Sequence, residues 1–326
     1  MANITTYVIG IDLGGTKIGT GLVAGDGEII AYDYRSTQAH GGSEAVVQRM
    51  LNAARSVVEQ AGVTPSQVAA VGVGAPGPLN IEAGVVIAPP NLPGWDRVPL
   101  RQILEDALSI PTYLENDANA AALGEHRFGA GRGTRHMIYV TVSTGIGGGL
   151  ILDGRLYHGT SGMGGEVGHI GVLPNGPLCG CGNRGCLEAL ASGTAIAREA
   201  RERVARGVPT LIAELADGDP QQITAKLVAE AAQRGDHEAQ MILHTAINYL
   251  GIGMASLVNL FNPQMIVIGG GLSKLGETLF DPVRRAVRRH AFRAAAQEAQ
   301  VVPAQLGDKV GVLGAAAAAL TSLEDQ

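Results

Sequence analysis

Short apolar runs separated by glycine turns open the chain. The apolar segments Tyr7 to Ile11 and Ile18 to Val23 flank Gly14-Gly15, and Gly25-Asp26-Gly27 follows the second of them. Apolar runs of this length bounded by turn residues are typical of strands, and tight glycine turns join antiparallel neighbours. The pattern predicts a three-stranded meander whose first turn is rich in glycine.

A helical periodicity follows the meander. Its apolar positions are Val46, Val47, Met50, Leu51, Ala54, Val57 and Val58. This spacing predicts a helix that is capped by Ser43, runs through Ala61 and ends at Gly62. A buried strand, Val68 to Val73, is expected next.

A second strand-to-helix unit lies near the middle of the chain. Thr112 to Glu115 predicts a strand, and the alanine-rich segment Ala118 to Phe128 has the periodicity of a helix. Asn116-Asp117 stands between them, so Asp117 is predicted to lie at a strand-to-helix junction.

The opening pattern then returns. Ile138 to Val142 predicts a strand, Gly145 to Gly149 a glycine turn, Leu150 to Leu152 a second strand, and Asp153-Gly154 a turn into a third. The chain therefore contains two versions of one unit.

The rest of the chain is mainly helical. Helices are predicted over Gly193 to Arg206, over Ile223 to Arg234, in a long segment through Asn259, after Gly269-Gly270-Gly271, and over Gly311 to Leu320, with a strand at Met265 to Ile268. Strands that alternate with helices indicate the α/β class, and no polar linker is long enough to separate freely moving domains.

Length and charge limit the classes of function. A chain of 326 residues forms one or two domains at about 150 residues per domain. The formal net charge is -6, and no Lys or Arg block is longer than a helix face. Nucleic acid is therefore not expected as a partner.

The termini indicate the compartment. Met1-Ala2-Asn3 is followed almost at once by a strand rather than by a basic segment and an apolar leader core, so we expect a cytoplasmic protein. The apolar stretch Leu313 to Leu320 is far shorter than the ~20 residues of a membrane span. No membrane association is expected.

The first glycine turn has the composition of a phosphate loop. In Asp12-Leu13-Gly14-Gly15-Thr16-Lys17 the glycines let backbone N–H groups approach a phosphate, while Thr16 and Lys17 add donors. The carboxylate of Asp12 could hold Mg²⁺ through water. Strands flank the turn, which excludes Walker and Rossmann loops. An ordinary glycine hairpin is the alternative.

Two more glycine clusters support a nucleotide site. Ser143-Thr144-Gly145-Ile146-Gly147-Gly148-Gly149 repeats the loop in the second unit, and Gly269-Gly270-Gly271 opens a helix, whose N-terminus attracts phosphate. Duplicated loops of this kind are similar to those of the actin-like ATPase superfamily. The predicted nucleotide contacts are Asp12, Gly14, Gly15, Thr16, Lys17, Thr144, Gly145, Gly147, Gly270 and Gly271.

A metal site is the sharpest signal. His169, Cys179, Cys181 and Cys186 supply one imidazole and three thiolates within eighteen residues, a set that closes a tetrahedral structural Zn²⁺ site. Four protein ligands leave no open position for catalysis. The alternatives are a Cys-x-Cys disulfide or three free thiols, and the cytosol disfavours the disulfide.

Together these motifs resemble the ROK family of repressors and sugar kinases, over essentially the whole chain. The residues that carry the resemblance are Asp12 to Lys17, Glu115-Asn116-Asp117, Gly145 to Gly149, Glu166-Val167-Gly168-His169, Cys179-Gly180-Cys181 and Cys186-Leu187-Glu188. The resemblance implies a two-lobe α/β fold of the actin-like, duplicated ribonuclease H type with an interlobe cleft. Residues 1–120 and a returning helix at 311–326 would form the small lobe, and residues 121–310 the large lobe with the zinc site.

The resemblance also implies roles for individual residues. Asp117 would be the general base, and the sugar would be bound by Gly77, Asn91, Asn116, Asp117, Glu166, His169 and Glu188. His169 would serve zinc and sugar together. For Gly77 and Asn91 the alternative is a simple turn residue, and for Glu166 and Glu188 a solvated surface carboxylate.

The expected activity is that of an ATP- and Mg²⁺-dependent hexokinase that converts glucose to glucose 6-phosphate. N-acetylmannosamine, N-acetylglucosamine and fructose are alternative sugars, and ADP or polyphosphate alternative donors. A sugar-sensing repressor is the alternative of another class, which would need a DNA-binding segment before the first strand. The resemblance further implies a homodimer or homotetramer.

Overall fold

Two five-stranded sheets form the framework of the protein, whose computed structural model describes residues 6–325. The strands are β1 (Tyr7–Leu13), β2 (Lys17–Ala24), β3 (Ile29–Ser36), β4 (Val68–Ala75), β5 (Leu79–Asn80), β6 (Val85–Val86), β7 (Thr112–Asn116), β8 (Met137–Val142), β9 (Ile146–Leu152), β10 (Arg155–Leu156), β11 (Met265–Gly269) and β12 (Gln300–Pro303). The expectations that concern Met1-Ala2-Asn3, and residues 1–5 and 326 of the predicted lobes, lie outside the described residues.

Helices cover both faces of the sheets. They are α1 (Gly42–Ala61), α2 (Leu100–Leu108), α3 (Asp117–Arg127), α4 (Leu187–Ala191), α5 (Gly193–Ala205), α6 (Leu211–Leu215), α7 (Ala225–Gln233), α8 (His237–Phe261), α9 (Glu277–His290), α10 (Arg293–Glu298) and α11 (Val310–Glu324). The predicted helices and strands are present, with ends that differ by a few residues, apart from the helix expected to open at Gly269-Gly270-Gly271. A 3-10 turn, Gly271–Leu275, follows that glycine cluster, and α9 begins only at Glu277. The sequence did not predict α2, α4, α6 and α10, because segments of five to nine residues contain too few periodic positions.

The two sheets have the same topology. The first sheet has the order β3-β2-β1-β4-β7 and the second the order β10-β9-β8-β11-β12. In each, hairpins join three antiparallel strands, and two further strands add in parallel through helical crossovers. The internal duplication and the α/β class predicted from the sequence are confirmed.

The start of α1 differs from the prediction. Gly41 occupies the N-cap position, and no side chain caps the helix. A 3-10 turn at Ala39–Gly41 leads directly into α1, so Ser43 already lies within its first turn and cannot be the cap. The predicted end is confirmed: Gly62 adopts the left-handed conformation with φ 66°, which suits glycine.

The second glycine turn is shorter than predicted. Gly147, Gly148 and Gly149 lie within β9, and the turn consists of the residues before Ile146. A Cβ at Gly149 would lie 2.6 Å from the Cβ of Ala122, because α3 packs closely on the strand there. These glycines therefore serve close packing rather than a turn.

The helices α3 and α11 lie between the two sheets. Apolar side chains of β1 alternate: Ile9 and Ile11 pack on the outer side with α1, while Val8 packs against α11. On the opposite side of the helix pair, α3 and α11 contact Met137 and Tyr139 of the second sheet. The outer face of the second sheet is covered by helices from α4 to α9.

Small residues permit this central packing. A Cβ at Gly72 of β4 would lie 1.8 Å from the carbonyl oxygen of Ala315 in α11. A Cβ at Gly124 in α3 would lie 2.9 Å from the Cα of Gly314. Since these are backbone contacts, no rotamer change can relieve them, and the alanine-rich composition of α3 and α11 follows from the available space.

One helix in the described part of the chain is long and apolar enough to cross a membrane. It is α8, whose most apolar window has a mean hydropathy of 1.5, and 61% of that window is buried inside the protein. Its side chains, including Leu250 and Met254, belong to the core under the second sheet. The helix is thus a core element of the structure.

We expect Gly72→Ala to lower the free energy of unfolding by about 3 kcal/mol or more, because overpacking against backbone forces the helix away from the sheet. Gly25→Ala is the matched control, since the nearest atom to its new Cβ would be the carbonyl oxygen of Thr6 at 3.9 Å. Denaturant unfolding measures both variants. Equal stabilities would contradict the packing argument.

Candidate active site and metal centre

Asp117 lies where β7 ends and α3 begins. The side chain of Asn116 occupies the N-cap position, and its Oδ1 accepts hydrogen bonds from the N–H groups of Ala118 at 2.9 Å and Asn119 at 3.3 Å. This cap starts the helix at Asp117, one residue earlier than predicted. The predicted strand-to-helix junction is confirmed.

The electrostatic surroundings raise the pKa of Asp117 above its ordinary value of 3.8. The side chain opens onto a cleft, yet protein surrounds its other sides, and this desolvation is the largest cause. The negative charge of Glu166 adds to it, while the N–H of Ala118 opposes it. Burial therefore outweighs the stabilisation of the anion by the helix N-terminus.

The cleft at Asp117 has a volume of about 520 Å³, within the usual range for a small ligand. Five of the predicted sugar contacts line it together: Gly77, Asn116, Asp117, Glu166 and His169. Gly147 and Gly148 of the second sheet form another part of the wall, so residues of both sheets face one space.

The other two predicted sugar contacts, Asn91 and Glu188, lie outside the residues that line the cleft. Asn91 is exposed and packs against Gly15 of the first glycine turn. The Oε2 of Glu188 accepts a hydrogen bond from the N–H of Ile146 at 2.8 Å, and its Oε1 lies 4.0 Å from the Sγ of Cys179. Glu188 therefore connects the cysteine cluster with the second glycine loop.

The first glycine loop is a tight hairpin turn at the end of β1. The N–H of Gly14 donates to the carbonyl oxygen of Lys17 at 2.9 Å, and the ammonium of Lys17 lies 5.9 Å from the centre of the Tyr34 ring. Burial, with the nearby charge of Asp117, raises the pKa of Asp12 to about 6, and Lys17 opposes the shift. The strand end thus holds a carboxylate that a cation would stabilise.

The second and third glycine clusters meet at a larger cavity of about 920 Å³. Thr144 and Gly271 both line it. Gly270 lies behind this wall, because a Cβ there would be 2.5 Å from the carbonyl oxygen of Val142. Sequence reasoning missed Thr194 and Lys274, which also line the cavity, although Gly193-Thr194 at the start of α5 offered a signal similar to the other glycine turns.

The four predicted metal ligands come together. The donor atoms of His169, Cys179, Cys181 and Cys186 all lie within 4.8 Å of one another, and the three cysteines form no disulfide. The Nδ1 of His169 is 3.6 Å from the Sγ of Cys179, and the Sγ atoms of Cys181 and Cys186 are 3.7 Å apart. With ordinary Zn–S and Zn–N bond lengths, tetrahedral coordination requires ~3.6 Å and ~3.8 Å for these edges. The donor set therefore fits Zn²⁺.

The imidazole of His169 faces two ways. Its Nδ1 points into the cysteine cluster, and its Nε2 lies 3.9 Å from the carboxylate of Glu166. Because both residues also line the cleft at Asp117, the metal centre and the cleft share one side chain.

The sequence matches the ROK family over residues 8–322. The chain belongs to the ROK family. It is 43% identical over 310 residues to a glucokinase from Thermotoga maritima, an alignment that covers 95% of this chain and 96% of that protein. The resemblance inferred from the motifs is confirmed.

Solved ROK structures have the same fold. A ROK hexokinase from Thermus thermophilus is 40% identical, with a TM-score of 0.83 and coverage of 98% of this chain and 100% of that one. A ROK family glucokinase from Streptomyces griseus, in complex with glucose and AMPPNP, is 39% identical, with a TM-score of 0.81 and coverage of 97% and 99%. The predicted actin-like α/β class of this ROK chain is confirmed.

We expect the purified ROK protein to contain one Zn²⁺ per chain and Cys181→Ser to lose most of it, with a lower melting temperature, because metal binding contributes to folding. Elemental analysis and thermal unfolding measure both effects. Leu178→Ala, at an exposed side chain of the same loop, is the control and should keep the metal. A fully stable protein without metal would refute the site.

Proposed function

We infer that this ROK protein is an ATP-dependent glucokinase, which transfers the γ-phosphoryl group of ATP to the 6-hydroxyl of glucose. The observation that carries the inference is the position of Asp117. It lies in the 520 Å³ cleft beside Gly147 and Gly148 of the second glycine loop, and its charge acts on Asp12 of the first. This position next to both glycine loops supports the proposal that Asp117 acts between a bound sugar and the phosphates of the nucleotide.

In the proposed mechanism Asp117 accepts the proton of the attacking hydroxyl. A raised pKa makes its carboxylate a better proton acceptor at neutral pH than an ordinary aspartate. Phosphoryl transfer depends mainly on in-line positioning and neutralisation of charge, so a single base is sufficient.

The sugar would be held from both sides of the cleft. The Oδ1 of Asn116 is occupied as the helix cap, which leaves its Nδ2, near Gly77, to donate to a sugar oxygen. We propose that Glu166 and His169 bind the sugar from the opposite wall. Asn91 and Glu188, which lie beyond the cleft wall in this structure, are proposed to contact the sugar as the two sides approach each other.

The nucleotide is proposed to occupy the larger cavity. Thr144 and Gly271 would contact it there, and backbone N–H groups at Gly15, Gly145 and Gly147 would bind its phosphates, with Thr16 and Lys17 as further donors. Gly14, whose N–H closes the hairpin on Lys17, would shape the first loop. Asp12 would hold Mg²⁺ beside the phosphates, since ionised carboxylates are the usual protein ligands of this ion. Gly270 would act by close packing behind the cavity.

Zinc would be structural in this scheme. His169, Cys179, Cys181 and Cys186 would hold it, and the bound ion would fix the loop that carries the two proposed sugar residues His169 and Glu188. The residues themselves bind and orient the sugar.

We also propose that the protein has the lobes, the cellular compartment and the assembly state predicted from its sequence. Residues 1–120 with the helix at 311–326 would form the small lobe, and residues 121–310 the large lobe that carries the metal site. The protein would act in the cytoplasm as a homodimer or homotetramer, with a small-molecule sugar and neither nucleic acid nor membrane as partners.

A coupled assay over a panel of hexoses and phosphate donors tests the function. We expect the highest kcat/KM for glucose with ATP, and lower values for N-acetylmannosamine, N-acetylglucosamine, fructose, ADP and polyphosphate. A sugar-sensing repressor would bind sugar without turnover. Absence of phosphoryl transfer to all four sugars would refute the proposal.

We expect Asp117→Asn to reduce kcat by about 10²- to 10⁴-fold while folding and glucose binding stay nearly intact, since the amide keeps the size of the side chain but cannot accept the proton. Steady-state kinetics and calorimetric glucose titration separate the two effects. Turnover close to that of the unchanged protein would show that Asp117 is not the base.

We expect Glu188→Ala to lower kcat/KM for glucose by at least about 2 kcal/mol, or thirtyfold, because the sugar hydroxyl that donates to this carboxylate would lose its acceptor. An analogue that lacks the contacted hydroxyl should lose much less. Kinetics on glucose, 1-deoxyglucose, 2-deoxyglucose and mannose make the comparison. Equal losses on all four would mean that Glu188 only supports the loop at Ile146.

A further inference from the structure

A hydrogen bond between an acidic and a basic side chain, Glu115 and His158, connects the first sheet near Asp117 with the segment that follows the second sheet. Glu115 is the penultimate residue of β7 in the first sheet, and His158 follows β10 of the second. The Nε2 of His158 lies 2.7 Å from the Oε2 of Glu115. The side chain of Glu115 is only 7% exposed, so the contact is shielded from water on the carboxylate side.

The second oxygen of Glu115 organises the residues around the proposed base. Its Oε1 accepts from the N–H of Asn116 at 2.8 Å and from the Nδ2 of Asn119 at 3.0 Å. Since an ionised carboxylate can only accept, these contacts determine which way the amide of Asn119 points. Its Oδ1, buried and without a hydrogen-bond partner among residues 6–325, is thereby turned away from Glu115.

His158 stands at the start of the segment that lines the cleft opposite Asp117. The carbonyl oxygen of His158 accepts from the N–H of Gly164 at 2.8 Å, so the histidine anchors the turn that follows it. The segment 162–166 and His169, which line the cleft opposite Asp117, continue from this turn. One side chain thus contacts the strand end that carries Asp117, and its own backbone supports the proposed sugar-binding segment.

We propose that Glu115 and His158 are positioning residues, which set the distance between the general base and the sugar-binding segment of the second sheet. The proposal rests on the glucokinase function inferred above. Glu115 orients Asn116 and Asn119. Its hydrogen bond to His158 fixes the position of the segment 158–169 relative to these two residues. Neither residue needs to touch the substrate, because misplacing reacting groups by about 1 Å can already reduce the rate by about a hundredfold.

We predict that loss of this hydrogen bond impairs turnover and glucose binding more than ATP binding. His158→Ala should lower kcat about tenfold or more and raise the KM for glucose severalfold, because Asp117 and the segment opposite it would no longer be held in their relative positions. The KM for ATP should change less than twofold, since the nucleotide cavity lies at Thr144 and Gly271. His158→Gln keeps a donor near the position of Nε2 and should recover most of the activity.

Steady-state kinetics with glucose and ATP varied in turn measure these effects, and active-site titration corrects for any unfolded fraction. His136→Ala is the matched control, because His136, which precedes β8, faces the exposed Asp153, which follows β9, at 3.6 Å, and its loss should leave all constants unchanged. In a double-mutant cycle, adding Glu115→Gln to His158→Ala should cost little beyond either change alone.

Three results would overturn the proposal. They are unchanged kcat and glucose KM in His158→Ala, equal effects on the KM values of glucose and ATP, and a Gln variant no better than the Ala variant. If the unchanged protein transfers no phosphate but binds glucose, the same variants are compared by calorimetric titration, where a loss of affinity supports the pair and equal affinity refutes it. If it neither turns over nor binds sugar, both the proposed function and the pair are wrong.

Discussion

The structure depends on the close contact of two alanine-rich helices, α3 and α11, between two twisted sheets. Gly72 of the first sheet, Gly149 of the second, and the facing Gly124 and Gly314 of the helices bring backbone against backbone. Packing of this kind tolerates no additional methyl group, so each sheet is held close to the helix that it contacts. The rest of the architecture is arranged around this spacing, with the outer helices covering the remaining apolar faces.

The central packing also positions the two carboxylates of the candidate active site, Asp117 and Asp12. Because α3 is clamped between the sheets, its N-terminal residue Asp117 is fixed between the ends of β1 and β9, where the duplicated glycine loops lie. At the opposite helix, Gly311 approaches Asp12, so a Cβ there would meet its carboxylate at 2.3 Å. The two carboxylates with raised pKa values are therefore near each other by construction of the core rather than through a local loop.

Much of the fold and site could be predicted because local pattern and chemistry coincide. The strand periodicity of Ile138 to Val142 and the four metal ligands near Cys181 follow from residue type and spacing alone. The role of Gly147 to Gly149 could not be predicted, since a glycine run has the same composition whether it turns or lets a helix approach. The pairing of Glu115 with His158, 43 residues apart, depends on tertiary contact, which no local pattern encodes.

Through His169, a metal bound at the cysteine cluster would influence which molecules bind in the cleft without contacting them itself. With its Nδ1 coordinated to Zn²⁺, the neutral ring of His169 would carry its proton on Nε2 and would only donate there. Glu166, 3.9 Å away, is a carboxylate that only accepts. Side by side they complement a group that accepts and donates at once. An alcohol has this dual character, whereas an ether or carbonyl oxygen only accepts, so a cation bound at this cluster would favour polyols as ligands of the proposed site.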